Sequence, residues 1–370
     1  MIIDHGAPDS QPGPIASRRP LGQSGLLVPP IIFGTSSFGN LYRAYPQEIK
    51  NDILREMVRW GGAASPRSGN GPIVLDSAGK YGAGLALESI GAGLRSLGVP
   101  AGDVLINNKL GWARVPLRAP EPTFEPGVWA GLQYDAEQTI SHDGILRCWH
   151  EGNRLLGSPY SAELVSVHDP DEYLARAGTE PHRSMAKRDV VEAYRALHGL
   201  KRAGKVRAIG VGAKDWRVIR ELSDEVDLDW VMLACSLTVF HHPPEVLAFV
   251  DSLRRRGVGI VNSAVFHAGF LTGGAFFDYR IPDREQSADR PLFAWRDRFF
   301  ALCDAHGVGP AAACVRFALS VPGVAAVALN TSRPEQVRQN IALGTADIPA
   351  SFWTAAKDAG LVRRDFPHLP

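Results

Sequence analysis

The sequence predicts an α/β fold of the (β/α)8 barrel class, and three observations carry that reading. Short apolar runs alternate with helix-spaced apolar stripes eight times between Ile31 and Ile341, as a parallel sheet with intervening helices requires. No GxGxxG follows the first strand, so the glycine signature of a doubly wound dinucleotide-binding sheet is missing where it belongs. Chemistry-bearing side chains also stand at the ends of several different strands, which is where barrels build their sites. Alternation by itself is equally compatible with a doubly wound sheet; the count of eight and the dispersed chemistry favour closure.

The elements follow in order. Arg19–Val28, broken at Gln23-Ser24-Gly25, reads as a short hairpin. Ile31–Gly34 is the first barrel strand, and Gln47–Trp60 its helix, with Ile49, Ile53, Met57 and Val58 on one face. Gly61–Gly71 is a Gly/Ser/Pro-rich insertion at the end remote from chemistry, expected to be exposed and dispensable. Strand Ile73–Ser77 and helix Leu85–Leu97 form the second unit. Strand Val104–Lys109 is followed by a long connection, Leu110–Gln138, carrying Trp112, Phe124, Trp129 and Tyr134 among prolines; long connections at the catalytic end usually have a function. Helix Ile140–Leu156, strand Leu164–His168, a polar loop Asp169–Lys187 and helix Arg188–Arg202 come next. Strand Val206–Val211 with helix Trp216–Leu222, and strand Trp230–Ala234 with helix Glu245–Arg255, continue the alternation. Strand Ile260–Ser263 opens a third long loop, Ala264–Arg290, before helices Leu292–His306 and Gly309–Leu319. Strand Val324–Asn330 and helix Pro334–Ile341 complete the eighth unit.

The 370 residues carry 40 Lys+Arg against 39 Asp+Glu, a net charge of +1, which gives no electrostatic attraction for nucleic acid or a membrane surface. No run is long and apolar enough to span a bilayer. Residues 1–18 read as a flexible arm without the apolar core of a secretion signal, and 19–370 as one barrel domain. Cys148, Cys235, Cys303 and Cys314 lie singly in apolar elements and read as reduced thiols of a cytoplasmic protein.

Leu75-Asp76-Ser77-Ala78-Gly79-Lys80-Tyr81-Gly82 places an aspartate at a strand end and a tyrosine in the loop beyond it. The next strand ends in Lys109, and the one after in His168. Singly, Lys109 reads as a surface lysine and His168, before Asp-Pro, as a turn residue; their joint occurrence at successive strand ends points to chemistry. A phenol titrates near pH 10, too high for acid–base work at neutrality, and a neighbouring ammonium lowers that value. Lys109 is placed to do this for Tyr81, Asp76 to neutralise Lys109, and His168 to hydrogen-bond the reacting oxygen. Such a set suits proton transfer coupled to hydride transfer. No metal is expected, because the histidines lack ligand spacing.

The order Asp, Tyr, Lys, His resembles the catalytic tetrad of the aldo-keto reductases, and the likeness runs from about Arg19 to Asn340. Leu21–Pro29, Gly34-Thr35, Gly204–Val211 and Gly269–Gly273 also resemble that superfamily. Phe38–Arg43 and Val261–Phe266 are similar to the bacterial branch that includes L-fucose, D-threo-aldose and pyridoxal dehydrogenases. The resemblance implies a hairpin plugging the barrel bottom and a nicotinamide dinucleotide held across its mouth. Carried over residue by residue, it implies cofactor contacts at Gly34, Thr35 and Ser36, at Asp76, at Gly212, and at Asn262, Ser263, Phe266, Gly269 and Leu271. The adenosine end falls to Asn330, Thr331, Ser332, Gln336, Gln339 and Asn340. The chain departs from many relatives at Gly212-Ala213, where they carry Ser-Asn, at Asn262, where they carry an aromatic residue, and at Cys235–Val239, where an Arg-Tyr-Thr-Leu-Leu stretch is common. The implied activity is NAD(P)-dependent oxidation of a small polar substrate, an aldose oxidised at C1 to a lactone. The alternatives are an NADPH-dependent aldehyde or ketone reductase and a non-enzymatic cofactor-sensing subunit. Tyr81, His168 and Trp112, three residues beyond Lys109, are expected to face substrate. Asn330 and Gln336 are neutral where NADP-preferring relatives carry basic residues, and Arg333 and Arg338 are expected to face solvent or the helix flank. That predicts NAD, with NADP possible. Partners are a small-molecule substrate and at most further copies of the chain, as a monomer or small homo-oligomer.

Overall fold

Eight parallel strands close into a barrel in the computed structural model, which describes residues 17–61, 71–278 and 280–369. In chain order the strands are β1 (Arg19–Pro20), β2 (Leu27–Val28), β3 (Ile31–Gly34), β4 (Ile73–Ala78), β5 (Val104–Leu110), β6 (Trp112–Pro116), β7 (Tyr134–Gln138), β8 (Ala162–His168), β9 (Ala208–Ala213), β10 (Trp230–Ala234), β11 (Gly259–Ser263) and β12 (Val324–Asn330). The barrel runs β3-β4-β5-β8-β9-β10-β11-β12 and returns to β3. Its strands are buried on both faces, as their near-continuous apolar composition requires. The helices are α1 (Gln47–Gly61), α2 (Leu85–Ser96), α3 (His142–Leu156), α4 (Pro170–Ala175), α5 (Glu180–Arg202), α6 (Trp216–Ser223), α7 (Pro244–Arg255), α8 (Arg290–His306), α9 (Pro310–Ser320), α10 (Glu335–Leu343) and α11 (Ala350–Asp358).

The predicted hairpin is the antiparallel pair β1–β2, and it closes one end of the barrel. Leu21, Leu26 and Val28 join the interior-facing Ile32, Val74, Leu105, Leu164, Trp230 and Met232 in one apolar cluster. Gly22 makes this possible. It has φ +57°, and a Cβ there would meet the Gly257 carbonyl and the Gly259 amide at 2.3 Å, at the start of β11. The opposite end, where the strands finish, is therefore the open mouth.

Four expectations need correcting. The connection Leu110–Gln138 is not all loop: β6 and β7 pair antiparallel over five positions, from Trp112↔Gln138 to Pro116↔Tyr134. Prolines crowd the turn between them and β7 lacks β-branched residues, so the pattern concealed the ribbon. The loop Asp169–Lys187 contains α4, and α5 begins at Glu180 rather than Arg188. Pro181 sits in the first turn of α5, where a missing N–H costs nothing, and the polar, mostly exposed opening turns show no apolar stripe. The fifth barrel strand runs Ala208–Ala213, so Gly212 and Ala213 belong to it. Beyond Ile341 the chain adds α11, whose Phe352 and Trp353 pack into the main core. The arm before residue 17 and the insertion at 62–70 lie outside the described residues.

Candidate functional site

The register of four neighbouring strands sets the site. Ala78 pairs with Lys109, Lys109 with Ser166, and His168 with Gly212, so the ends of β4, β5, β8 and β9 lie at one level around the mouth. Asp76 and Lys109 point to the same interior. Lys109 Nζ lies 2.6 Å from Asp76 Oδ2, and Asn107 Nδ2 donates to Asp76 Oδ1 at 2.7 Å, so both carboxylate oxygens are engaged. A Cβ at Gly212 would come within 3.3 Å of Lys109 Cδ, so a larger residue there would crowd the lysine stem. The same ammonium sits 4.6 Å from the centre of the Tyr81 ring. The Tyr81 and His168 rings meet edge-on with centres 5.9 Å apart. The structure brings all four predicted residues to one cavity of about 790 Å³.

Burial and charge act in opposition here. Burial pushes the Tyr81 phenol above its ordinary value; Lys109 pulls it down and Asp76 up, and the net direction is upward. Lys109 thus contributes in the expected direction, but enclosure outweighs one ammonium and the phenol stays above its ordinary value. For Lys109, burial alone would lower the value, but Asp76 and then Tyr81 reverse it and keep the side chain charged. Burial, followed by the charges of Lys109 and Lys80, holds His168 well below the usual imidazole range, so it is neutral at pH 7. Its Nδ1 is buried without a partner, an orphaned polar atom beside the cavity.

The predicted cofactor residues divide. Gly34, Ser36, Gly212, Ser263, Phe266 and Gly269 line the cavity, and Asn330, Thr331, Ser332, Gln336, Gln339 and Asn340 form one of its sides. Thr35, Asn262 and Leu271 do not. Thr35 donates to the Asp76 carbonyl at 2.9 Å and fixes the strand end. Asn262 is fully buried and donates to the Leu237 carbonyl at 2.6 Å. Leu271 is packed in the core. On the adenosine side, Ser37 donates to Asn330 Oδ1 at 2.8 Å, and Thr331 Oγ1 lies 2.9 Å from Gln336 Oε1. Arg333 is exposed, as expected, but also lines the cavity, whereas Arg338 lies over the Trp60 ring at 4.6 Å. Glycines, hydroxyls and carboxamides line this cavity together with the guanidiniums of Arg43 and Arg333, and such a donor set fits a dinucleotide.

Trp112 is also displaced from its expected role. It opens the ribbon with its side chain buried, Lys80 Nζ lying 4.7 Å from its ring, and is not on the cavity wall. Trp129 takes the place beside Tyr81, with ring centres 5.9 Å apart. Lys80, which the sequence offered no reason to select, holds that arrangement. Its Nζ meets Asp169 at 2.7 Å, Glu125 at 2.8 Å and Glu172 at 3.2 Å. Glu125 in turn accepts from Trp129 Nε1 at 2.8 Å. One buried cation thus ties the ribbon turn to the segment after His168. Burial alone would lower the Lys80 value, but the three carboxylates raise it above normal. The only sequence signal was position: a lysine directly before the candidate tyrosine.

A model of the aldo/keto reductase family matches residues 30–360. A pyridoxal 4-dehydrogenase from Microbacterium luteolum is 28% identical over 359 residues, covering 94% of this chain and 98% of that protein. A D-threo-aldose 1-dehydrogenase from a Pseudomonas species is 28% identical over 356 residues, covering 92% and 96%. Among solved structures, an aldo-keto reductase from Bacillus halodurans in its holo form aligns with a TM-score of 0.68 at 20% identity, over 94% of this chain and 97% of that one. A glycerol dehydrogenase from Gluconobacter oxydans aligns with a TM-score of 0.67 at 18% identity, over 95% and 96%. At such identities the structural likeness shows the fold.

Proposed function

The chain belongs to the aldo/keto reductase family, and from that premise we propose that it is an NAD(P)-dependent dehydrogenase that oxidises a small polar substrate, an aldose at C1, to a lactone. The observation that carries this reading is the meeting of Tyr81, Lys109, Asp76 and His168 on one cavity that continues into a polar groove. A bound nicotinamide supplies the hydride acceptor. The chain's own groups then have the proton to manage. Tyr81 first gives its own proton to solvent, becoming a phenolate that the Lys109 ammonium stabilises, and then takes the proton of the anomeric hydroxyl and is a phenol again. Asp76 keeps Lys109 charged and aimed. His168, neutral, orients the substrate oxygen without competing for the proton. Trp129 and the ribbon turn form the apolar wall against which a small polar substrate seats.

The two curated relatives are named for oxidation of an aldose and of pyridoxal, which supports the oxidative direction. The test is turnover with NAD⁺ over a panel of aldoses and pyridoxal, with lactone release as the readout. Absence of NAD⁺-linked turnover throughout that panel would remove the reading. A second reading, NADPH-dependent reduction of an aldehyde or ketone, has two observations in its favour. Tyr81 with a raised value is held as a phenol, the proton-donating form, and Arg333 stands on the cavity wall where a phosphate could be met. NADPH-dependent reduction without aldose oxidation is the result that would select it.

A further inference from the structure

Among the described residues, one group of His, Cys, Asp or Glu side chains converges as metal ligands would: Cys235, His267 and Asp278. Cys235 directly follows β10, and the other two lie in the segment after β11. Their candidate ligand atoms, Sγ, Nδ1 and a carboxylate oxygen, all lie within 4.8 Å of one another. Cys235 Sγ is 3.3 Å from Asp278 Oδ1, and His267 Nδ1 is 2.9 Å from Asp278 Oδ2. Tetrahedral zinc with bonds of about 2.0–2.3 Å has ligand–ligand edges of roughly 3.3–3.8 Å, so small side-chain adjustments open this triangle around an ion.

The imidazole is unusually well fixed. His267 Nε2 lies 2.9 Å from Thr238 Oγ1, which also accepts the His241 amide at 2.9 Å. Phe277 stacks on the ring with centres 4.8 Å apart and planes 1° from parallel, and Phe240 meets it edge-on at 5.5 Å. Nδ1 is therefore the nitrogen left to face the cysteine and the carboxylate, as outer partners arrange for metal-binding histidines. All three residues also have left-handed backbones without being glycine: φ is +58° at Cys235, +47° at His267 and +45° at Asp278. Such conformations cost energy and persist where the surroundings enforce them, commonly at functional positions. Cys235 and Asp278 line the same cavity as Tyr81 and Lys109, so one coordination position would open inward.

We propose that Cys235, His267 and Asp278 form a binding site for one zinc-class divalent ion, which braces the cavity-lining segment from Ala264 to Asp278 against the end of β10. A thiolate, an imidazole and a carboxylate with a fourth position open are a donor set suited to zinc and its heavier relative cadmium. Protons balance simply. The thiol proton passes to solvent, the Nδ1 proton leaves for Nε2, where it is donated to Thr238 Oγ1, and Asp278 exchanges two accepted hydrogen bonds for the ion. Nothing is oxidised or reduced. None of the three residues has a part in the proton chemistry assigned to the tetrad.

The test uses the full chain, reduced and freed of metal by chelator. Titration with Cd²⁺ should give a thiolate-to-cadmium absorbance band saturating at one ion per chain. The band should be lost in Cys235→Ser, while the buried Cys148, Cys303 and Cys314 remain as internal controls. Zn²⁺ should raise the unfolding temperature of the native chain and leave that of Cys235→Ser and Asp278→Asn unchanged; Asp278→Asn keeps size and fold while weakening the ion site. An unchanged cadmium band in Cys235→Ser, or no uptake of either ion at micromolar concentration, overturns the proposal.

Discussion

Lys109 Nζ lies 2.6 Å from Asp76 Oδ2, with both side chains buried at the barrel mouth. Removing one partner of such a pair strands the other charge in a medium that solvates it poorly, which typically costs about 3–5 kcal/mol. Lys109→Met should therefore lose both turnover and stability. Adding Asp76→Asn to it should restore most of the stability, since no charge is left unpaired, but none of the turnover. Chemical denaturation beside steady-state kinetics separates the two. Recovery of turnover in the double variant would mean that the lysine charge is not used in proton transfer.

Tyr81→Phe removes one hydroxyl and no packing. A positioned proton carrier is worth roughly a hundred- to ten-thousand-fold in rate. The expected result is loss of turnover of that order with dinucleotide binding, read by fluorescence titration, within about twofold of the native chain, since uniform binding terms are untouched. Near-native turnover would assign the proton to another group.

Substrate choice is expected to follow Trp129 and not Trp112. Trp129→Ala opens the wall beside Tyr81 and should raise KM, by about tenfold for the loss of ~1.4 kcal/mol of contact, or reorder the substrate panel. Trp112→Ala should act through the core, costing about 3–5 kcal/mol of stability. Lys80→Met, which leaves Glu125, Asp169 and Glu172 without their shared cation, should copy the KM effect of Trp129→Ala and alter tryptophan emission. Native KM in Lys80→Met would show that the ribbon turn holds its place without the lysine.

Much of this was legible in the sequence, for physical reasons. Strand ends are marked by the change from apolar runs to polar residues, so Asp76, Lys109 and His168 could be placed on them, and parallel pairing then forces those ends together. Side-chain direction was not legible. Whether Trp112 or Trp129 faces the cavity depends on a ribbon register set by tertiary packing, and Asn262 turns into the core to satisfy the Leu237 carbonyl. Lys80 was hidden because its three carboxylates come from two distant segments. The Cys235–His267–Asp278 cluster was hidden likewise: Asp278 is 43 residues from Cys235, far outside any ligand spacing that can be read by eye.

Stability should fall on mild acidification. Burial first, then neighbouring positive charge, holds His168 well below its ordinary value; burial likewise brings His242 down to about 4, against a weaker upward pull from the Thr238 carbonyl. Both are neutral when folded, whereas the unfolded chain protonates them near pH 6.5. The histidine contribution is thus constant above that pH and declines below it, because the unfolded state binds protons first. The carboxylates with depressed values, such as Glu221 held near 2 by its bonds to Arg183, begin to matter only below about 4.5. Denaturant melts between pH 7 and 5 isolate the histidine part, and His168→Gln should flatten the slope there. An equal slope in that variant would place the acid sensitivity elsewhere.

Cofactor choice turns on Arg333. Discrimination for a 2′-phosphate needs a guanidinium or ammonium at the adenosine end, best in bidentate geometry. Asn330 and Gln336 are neutral and already bonded to Ser37 and Thr331, so neither offers charge, and Arg338 is occupied over Trp60. Arg333 alone among these stands on the cavity wall. A single flexible guanidinium without a second basic neighbour should let NADP bind without making it preferred, while a ribose hydroxyl is served by the carboxamides and hydroxyls around it. The expected result is a higher kcat/KM with NAD than with NADP. Arg333→Ala should widen that ratio by lowering the NADP value roughly tenfold, about 1.4 kcal/mol, with the NAD value unchanged. Native preference for NADP by tenfold or more would show instead that Arg333 clamps the phosphate, and would move the physiological direction towards reduction.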